Sequence, residues 1–226
     1  MFLSAVIVAG GSGSRLGSKK QFINLVGIPV LKRAVSCFDG YGEIDRLVIV
    51  VPEEDISYTS ELLADTRTDY VITGGGRTRQ ESVMNGLHHV LDSQVVLIHD
   101  GVRPLVSQDL IYRVLKGLSW YEGCIPALEV TDTMKEASEG FVVKTIPRGN
   151  LFQVQTPQAF VTKTLVSAHE KAFQDGSLQF TDDSSLIEAV GKPVRIVQGD
   201  PLNVKITFQE DILLMETIIR CRTESE

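Results

Sequence analysis

The alternation of apolar and polar positions breaks the chain into short buried runs separated by helical stretches. Leu3–Val8 is apolar except for Ser4 and rich in β-branched residues, which predicts a strand covered on both faces. The punctuated stretch Gly10 to Gly17 follows it. Ile28–Phe38 predicts a helix, with Pro29 tolerable in the first turn and Val30, Leu31, Ala34, Val35 and Phe38 on one stripe. Leu47–Val51 predicts a second buried strand stopped by Pro52, Glu53–Ala64 a surface helix, and Tyr70–Thr73 a short strand. After Gly74, Gly75 and Gly76 the helical period resumes over Thr78–Leu91, and Val95–Ile98 reads as the next buried strand. Ser107 caps a helix running to about Leu118, because its hydroxyl can accept an otherwise unpaired first-turn N–H. This alternation predicts an α/β fold with a mostly parallel central sheet. Ligands of such sheets gather beyond the carboxyl ends of the strands. The loops after Val8, Thr73 and Ile98 are the ones that carry glycines and charges.

From Ile125 to Ile146 the pattern changes. Ala127–Thr131 and Phe141–Ile146 read as extended segments on either side of the polar stretch Lys135–Gly140, which predicts a β-arm over residues 127–147 projecting from the body. Isolated hairpins are marginal in water, so an arm of this length needs a covering surface, either a second subunit or its own domain. Beyond it, Thr162–Phe173 and Asp182–Val190 read as helices, Val194–Val197 and Val204–Thr207 as short strands, and Phe208–Cys221 as a last helix packing through Ile212, Leu213, Met215 and Ile219. Arg222–Glu226 is a polar tail. With no internal repeat and no low-complexity tract, residues 1–226 read as one domain.

Composition narrows the function classes. At 226 residues, 43% hydrophobic and 23% charged, the chain is ordinary for a globular protein, and its net charge of −7 argues against a broad grip on nucleic acid. A few local cations can still hold a small anion. Nothing reaches 18 consecutive apolar residues, and the opening run lacks the basic start of a signal peptide, so no membrane association is expected. Cys37, Cys124 and Cys221 stand far apart without CxxC spacing, which fits reduced thiols and a cytoplasmic protein.

The most informative local segment is Ala9-Gly10-Gly11-Ser12-Gly13-Ser14-Arg15-Leu16-Gly17, followed by Lys19-Lys20-Gln21-Phe22. Glycines let the backbone turn tightly and approach phosphates with N–H groups pointing inward. The order GxxxxGK[ST] is absent, and GxGxxG fails because Leu16 stands at the third glycine position. Arg15 and the Lys19-Lys20 pair add the cations that phosphoryl or nucleotidyl transfer requires. The competing reading is a structural turn flanked by solvated bases. His99 reads as a structural or orienting group rather than a base. His88, His89 and His169 lie in helical patterns without a zinc-binding constellation. Asp182-Asp183 reads as an N-cap followed by a first-turn acid, and Asp132 and Lys135 stay open between arm surface and site.

The glycine loop resembles that of sugar nucleotidyltransferases. Four further segments sharpen the resemblance: Gly75-Gly76-x-x-Arg79-x-x-Ser82-Val83, His99-Asp100-x-x-Arg103-Pro104, Gln155-Thr156-Pro157-Gln158-x-Phe160, and Asn203-x-Lys205-x-Thr207. In this order, over essentially the whole chain, they are similar to the 2-C-methyl-D-erythritol 4-phosphate cytidylyltransferase family. The resemblance implies a Rossmann-like nucleotidyltransferase fold, CTP and a polyol phosphate as substrates, Mg²⁺ or another divalent cation, and a homodimer joined through the arm. It assigns Arg15 and Lys20 to stabilising the transition state at the α-phosphate. Ala9, Gly10, Gly11, Gly13, Gly75, Gly76 and Ser82 would receive the nucleotide. Asp100 would hold the metal or place the acceptor, and Arg103, Thr133, Arg148, Thr156 and Lys205 would contact the acceptor, Thr133 from the other subunit. Two departures bear on the acceptor. Gly101-Val102 stands where many relatives have two small residues, commonly Ala-Ala, and Val102 resembles the ribitol-5-phosphate cytidylyltransferases; the spacer between Arg15 and Lys20 is also short. A ribitol-phosphate enzyme, or an inactive nucleotide-binding dimer of the same fold, are the alternatives.

Overall fold

The first apolar run forms β1 (Leu3–Val8), and a small hairpin, β2 (Asn24–Leu25) with β3 (Ile28–Pro29), leads into α1 (Val30–Asp39). This computed structural model describes residues 2–11, 19–177 and 180–223. Helix α1 starts two residues later than its apolar stripe suggests, because Ile28 pairs with Leu25 and Pro29 sits at the cap in an extended conformation. Next come β4 (Arg46–Val51), α2 (Ile56–Leu62), β5 (Asp69–Gly74), α3 (Arg79–Leu87), β6 (Val95–Asp100) and α4 (Gln108–Gly117). A single 3₁₀ turn, Glu53–Asp55, precedes α2.

Strands β5, β4, β1 and β6 lie side by side in that order, all parallel. The chain therefore builds outward from β1 in one direction and returns to its other side with β6. That reversal opens a crevice at the carboxyl ends of β1 and β6, where such sheets take ligands. Alternate side chains of each strand feed opposite faces, as a pleated strand requires. Ala5, Ile7, Leu47, Ile49 and Leu97 pack against α1 and α4, while Val6, Val48, Val50 and Ile98 pack against α3 and the helices that follow. Gly86 shows how closely α3 approaches: a Cβ there would lie 2.4 Å from Cγ1 of Val6.

The second half widens the sheet. It comprises β7 (Gly123–Glu129), β8 (Met134–Ser138), β9 (Phe141–Ile146), β10 (Phe152–Val154) and β11 (Gln158–Val161), then α5 (Thr162–Gln174), α6 (Asp183–Ala189), β12 (Val194–Gln198) and α7 (Gln209–Thr223). β11 joins β6 and β7 antiparallel, β10 pairs antiparallel with β7, and β12 pairs parallel with it, giving a mixed eight-stranded sheet. The expected arm of residues 127–147 is shorter than its pattern indicated. Ala127–Glu129 belongs to the main sheet, and the free ribbon is β8 paired with β9, so the polar stretch at Lys135 is itself a strand. The segment Val204–Thr207 is not a strand. Ile206 donates one backbone bond to Val102 and buries its side chain, leaving no neighbouring strand for a ladder. In α7, Met215 and Ile219 are buried, but Leu213 is exposed because it lies off their helical face. Among the described residues, no helix is long and apolar enough to cross a membrane.

Candidate active site

Two cavities open at the carboxyl edge of the sheet. The first, about 590 Å³, begins where β1 ends: Ala9, Gly10 and Gly11 form one wall, Gly76 to Arg79 and Ser82 another, and Lys20 and Lys205 reach in. Ala9 extends the β1 ladder by donating to Val50 O at 2.7 Å, and Gly75 does the same to Val51 O, so both loops leave the sheet in fixed directions. The loop before α3 is held by its own cap. Thr78 accepts from the Glu81 N–H, satisfying one orphan donor of the first turn, while the Glu81 carboxylate accepts from the N–H of Arg77, just before the cap. Ser82 Oγ accepts from Gly76 N at 3.0 Å and donates to Thr78 O at 2.9 Å. The hydroxyl thus shapes the loop that Gly76 belongs to. Lys20 donates to the carbonyl of Thr207, tying the start of the first cavity to the segment before α7.

The second cavity, about 580 Å³, lies between β10, β11 and the start of α6, with Arg103, Gln155, Thr156, Ser184 and Glu188 among its lining. Arg79, Asp100 and Lys205 line both cavities. Asp100 ends β6, and each of its carboxylate oxygens takes a cation: Oδ1 from Arg79 Nε at 3.1 Å and Oδ2 from Lys205 Nζ at 2.7 Å. Burial alone would raise this carboxyl, but the Arg79 and Lys205 charges outweigh it and hold Asp100 well below the usual carboxylate range. Arg79 reaches onward, Nη1 to Asp183 Oδ2 at 2.7 Å, and the two acids together outweigh burial to keep it charged.

Behind Asp100 the hydrogen bonds fix one proton arrangement. His99 Nε2 lies 3.1 Å from the Arg103 carbonyl, which can only accept, so Nε2 carries the hydrogen and Nδ1 accepts from the Thr156 hydroxyl at 3.0 Å. The Thr156 oxygen in turn accepts from the Asp100 N–H at 3.1 Å. Burial lowers His99 to about 4, so it is neutral near pH 7 and acts as an orienting group. Asn203 closes the floor. It is fully buried, donating from Nδ2 to Thr156 O at 2.7 Å while its carbonyl accepts from Arg103 Nη1 at 2.7 Å. Gln155 clamps the same loop, exchanging bonds with the backbone of Asp200.

Of the residues marked in the sequence, the fold brings Ala9, Gly10, Gly11, Lys20, Gly76, Ser82, Asp100 and Lys205 around the first cavity, and Asp100, Arg103, Thr156 and Lys205 around the second. Gly75 sits beside Ser82, where a Cβ would lie 3.1 Å from Oγ. Gly13 and Arg15 lie outside the described residues. Thr133 and Arg148 are exposed at the base of the ribbon, and neither is among the described residues lining these two cavities. Val102 faces the first cavity, and Gly101 has no room for a side chain, since a Cβ would lie 2.9 Å from that of Ala9. Arg79 received no role from sequence alone, and Asp183 only that of a first-turn acid behind the Asp182 cap, which is where α6 places it. One signal existed: an arginine at the first position of α3 opposes the helix dipole and so calls for anionic partners.

Comparison with known proteins finds relatives over nearly the whole chain. The family described as "IspD: 2-C-methyl-D-erythritol 4-phosphate cytidylyltransferase" matches residues 3–221. A 2-C-methyl-D-erythritol 4-phosphate cytidylyltransferase of Geobacillus kaustophilus is 42% identical, over 98% of this chain and 99% of its own. The crystal structure of 4-diphosphocytidyl-2C-methyl-D-erythritol synthase from Anaerococcus prevotii superposes with a TM-score of 0.86 at 31% identity, covering 97% of this chain and 98% of the other. That of the Thermus thermophilus cytidylyltransferase gives 0.78 at 30% identity, over 95% and 98%.

Proposed function

The chain belongs to the 2-C-methyl-D-erythritol 4-phosphate cytidylyltransferase family and transfers the cytidylyl group of CTP to 2-C-methyl-D-erythritol 4-phosphate; from that premise we propose that the first cavity takes CTP, the second takes the acceptor, and the reaction crosses at Asp100. One observation carries this division: Arg79, Asp100 and Lys205 are shared by two cavities of similar size, about 590 and 580 Å³.

In this reading the backbone of Ala9, Gly10, Gly11, Gly13, Gly75 and Gly76 receives the nucleotide, with Ser82 holding the loop that reads cytosine. The acceptor phosphate is already an anionic nucleophile at neutral pH. One of its oxygens attacks the α-phosphorus of CTP, the new P–O bond forms, and the bond to the β-phosphate oxygen breaks to release pyrophosphate. No general base is needed, and His99 has both ring nitrogens engaged within the fold, by the Arg103 carbonyl and the Thr156 hydroxyl. Arg15 and Lys20 surround the α-phosphate of bound CTP and stabilise the further charge that develops there in the transition state. Arg103 and Lys205 hold the acceptor phosphate, and Thr156 fixes the backbone beneath it.

Asp100 suits a magnesium ion bound chiefly by substrate. It is ionised and lines the CTP cavity, and each oxygen keeps a lone pair beyond its present bond. Among the described residues no cluster of three or more His, Cys, Asp or Glu could enclose a metal alone. A single carboxylate with phosphate oxygens and water matches the habit of Mg²⁺, which would neutralise triphosphate charge. A homodimer completes the reading, with Thr133 and Arg148 of one ribbon entering the acceptor cavity of the other subunit. Support comes from Phe141, Val142 and Val143, exposed on the ribbon, for which a second copy is the natural cover. Cytoplasmic residence fits the free cysteines, of which Cys37 and Cys124 are pushed up to about 11, burial being the main cause.

The test is pyrophosphate release from CTP and Mg²⁺ with each acceptor in turn. Release with methylerythritol phosphate is expected. No release with any acceptor would overturn the reading, and preference for ribitol 5-phosphate would overturn the acceptor.

A further inference from the structure

The first turn of α6 holds an acid that capping does not explain. Asp182 is the cap: its Oδ1 accepts from the Ser185 N–H, and its Oδ2 takes bonds from Gln158 and Ser184. Asp183 is the next residue, at a position that solvent normally reaches, yet it is only 1% exposed. Its Oδ2 receives Arg79 Nη1 at 2.7 Å, from 104 residues away, and its Oδ1 lies 3.3 Å from Nε2 of the buried His169 on α5.

A buried carboxylate is costly unless it is paired and hydrogen-bonded, so its retention here needs a task. The task is legible from its partner. Arg79 is a long side chain at the junction of both cavities, and a single bond to Asp100 would leave its guanidinium free to swing. With Nη1 fixed to Asp183 and Nε fixed to Asp100, the plane of the group is set by two anchors. Arg79 in turn holds Asp100, whose other oxygen holds Lys205. The line His169–Asp183–Arg79–Asp100–Lys205 runs from the core between α3 and α5 to the point where donor and acceptor meet.

We propose that Asp183, oriented by His169, is a positioning residue for the transfer, fixing the Arg79 guanidinium and through it the Asp100–Lys205 pair between the two cavities. It touches neither substrate. This rests on the two-cavity reading above and adds a residue whose effect reaches the chemistry only through Arg79.

The experiment is a double-mutant cycle on steady-state transfer from CTP to methylerythritol phosphate, with Asp183→Asn and Arg79→Lys alone and together. Asp183→Asn keeps the volume and removes the anchor. Each single variant should lose about tenfold to a hundredfold in kcat, the scale of a misplaced positioning group, with less change in either KM. The double variant should be no slower than the worse single one, because both changes break the same link. Should Asp183→Asn fail to fold, His169→Phe, which keeps a ring in that space, replaces it in the cycle and should lose kcat in the same non-additive way. Losses that multiply, or an Asp183→Asn enzyme that loses melting temperature but keeps wild-type kcat, would overturn the proposal. A wild-type chain that releases no pyrophosphate would instead overturn the transfer reading and this inference with it.

Discussion

The junction around Asp100 and the β8–β9 ribbon are opposite solutions to placing charged and apolar groups. At the junction Asp183, Arg79, Asp100 and Lys205 each have an opposite partner within the same chain, and the central carboxylate and guanidinium have two each. On the ribbon the charges are solvated, as in the exposed Lys144–Glu136 pair, and the apolar side chains face outward with Phe141 78% exposed. One region is therefore finished by the fold, while the other is built for something outside it. In the proposed reading, the difference separates catalytic geometry set within one chain from geometry that a second copy completes. Charge alignment between the cavities is of the first kind, and the contact of Thr133 and Arg148 with an acceptor is of the second.

Removing the centre of the finished region should have the largest effect. Asp100→Ala strips the half-buried Arg79 and the exposed Lys205 of a shared partner. Because solvent screens both and Arg79 keeps Asp183, the cost should be that of lost charged hydrogen bonds, about 1.5–3 kcal/mol. Denaturant unfolding should show a loss of that order, and pyrophosphate release should fall by about two to three orders of magnitude. Near-normal stability would mean that the junction is not the anchored region described here. Acid provides a second test. Asp100 is depressed, so the stability it contributes is present above the ordinary carboxylate range and is lost only as pH falls through its low folded value. His99 acts earlier. Its folded value near 4 lies below the ordinary 6.5, so the unfolded chain binds the extra proton and stability declines as pH falls from about 6.5 to 4. A fully buried group shifted this far contributes about 3 kcal/mol over that window. Unfolding midpoints measured at pH 7 and pH 5 should show the decline, and His99→Gln should flatten it. The ribbon should respond in the other way. Phe141→Ser with Val143→Ser should lower the mass in solution from dimer to monomer while the intrinsic stability of each chain moves by no more than about 0.5 kcal/mol. A dimer that survives both changes would place its interface elsewhere.

What could be read from the sequence follows the same contrast. β1, β4 and β6 were legible because burial on both faces leaves nearly unbroken apolar runs, a purely local signature. Gly10, Gly11 and Gly76 were legible as the lining of one cavity, because glycine-rich loops after buried strands open at the carboxyl edge of such a sheet. The ribbon boundaries were not. Met134–Ser138 has no buried face to print an alternation, and Ala127–Glu129 continues into the main sheet without a break in pattern. The Arg79–Asp183 pair was illegible for another reason: Asp183 is ordinary at a helix start, and Arg79 at the first position of α3 signals only a need for some anion. Only the packing of α3 against α5 and α6 supplies this one. His99 read as a structural or orienting group, and the bond to Thr156 that fits this reading spans 57 residues and is tertiary.

The account rests on donor and acceptor occupying separate cavities that meet at one anchored junction. Equilibrium binding to two variants tests it most directly: Arg103→Ala, whose side chain lines only the second cavity, and Lys20→Ala, which lines only the first. Each would be titrated with CTP–Mg²⁺, and with methylerythritol phosphate beside a non-transferable CTP analogue. Loss of a charged hydrogen bond, about 1.5–3 kcal/mol, weakens binding roughly tenfold to a hundredfold. The account predicts that loss for the acceptor alone in Arg103→Ala and for CTP alone in Lys20→Ala; both variants weakening the same ligand would contradict it.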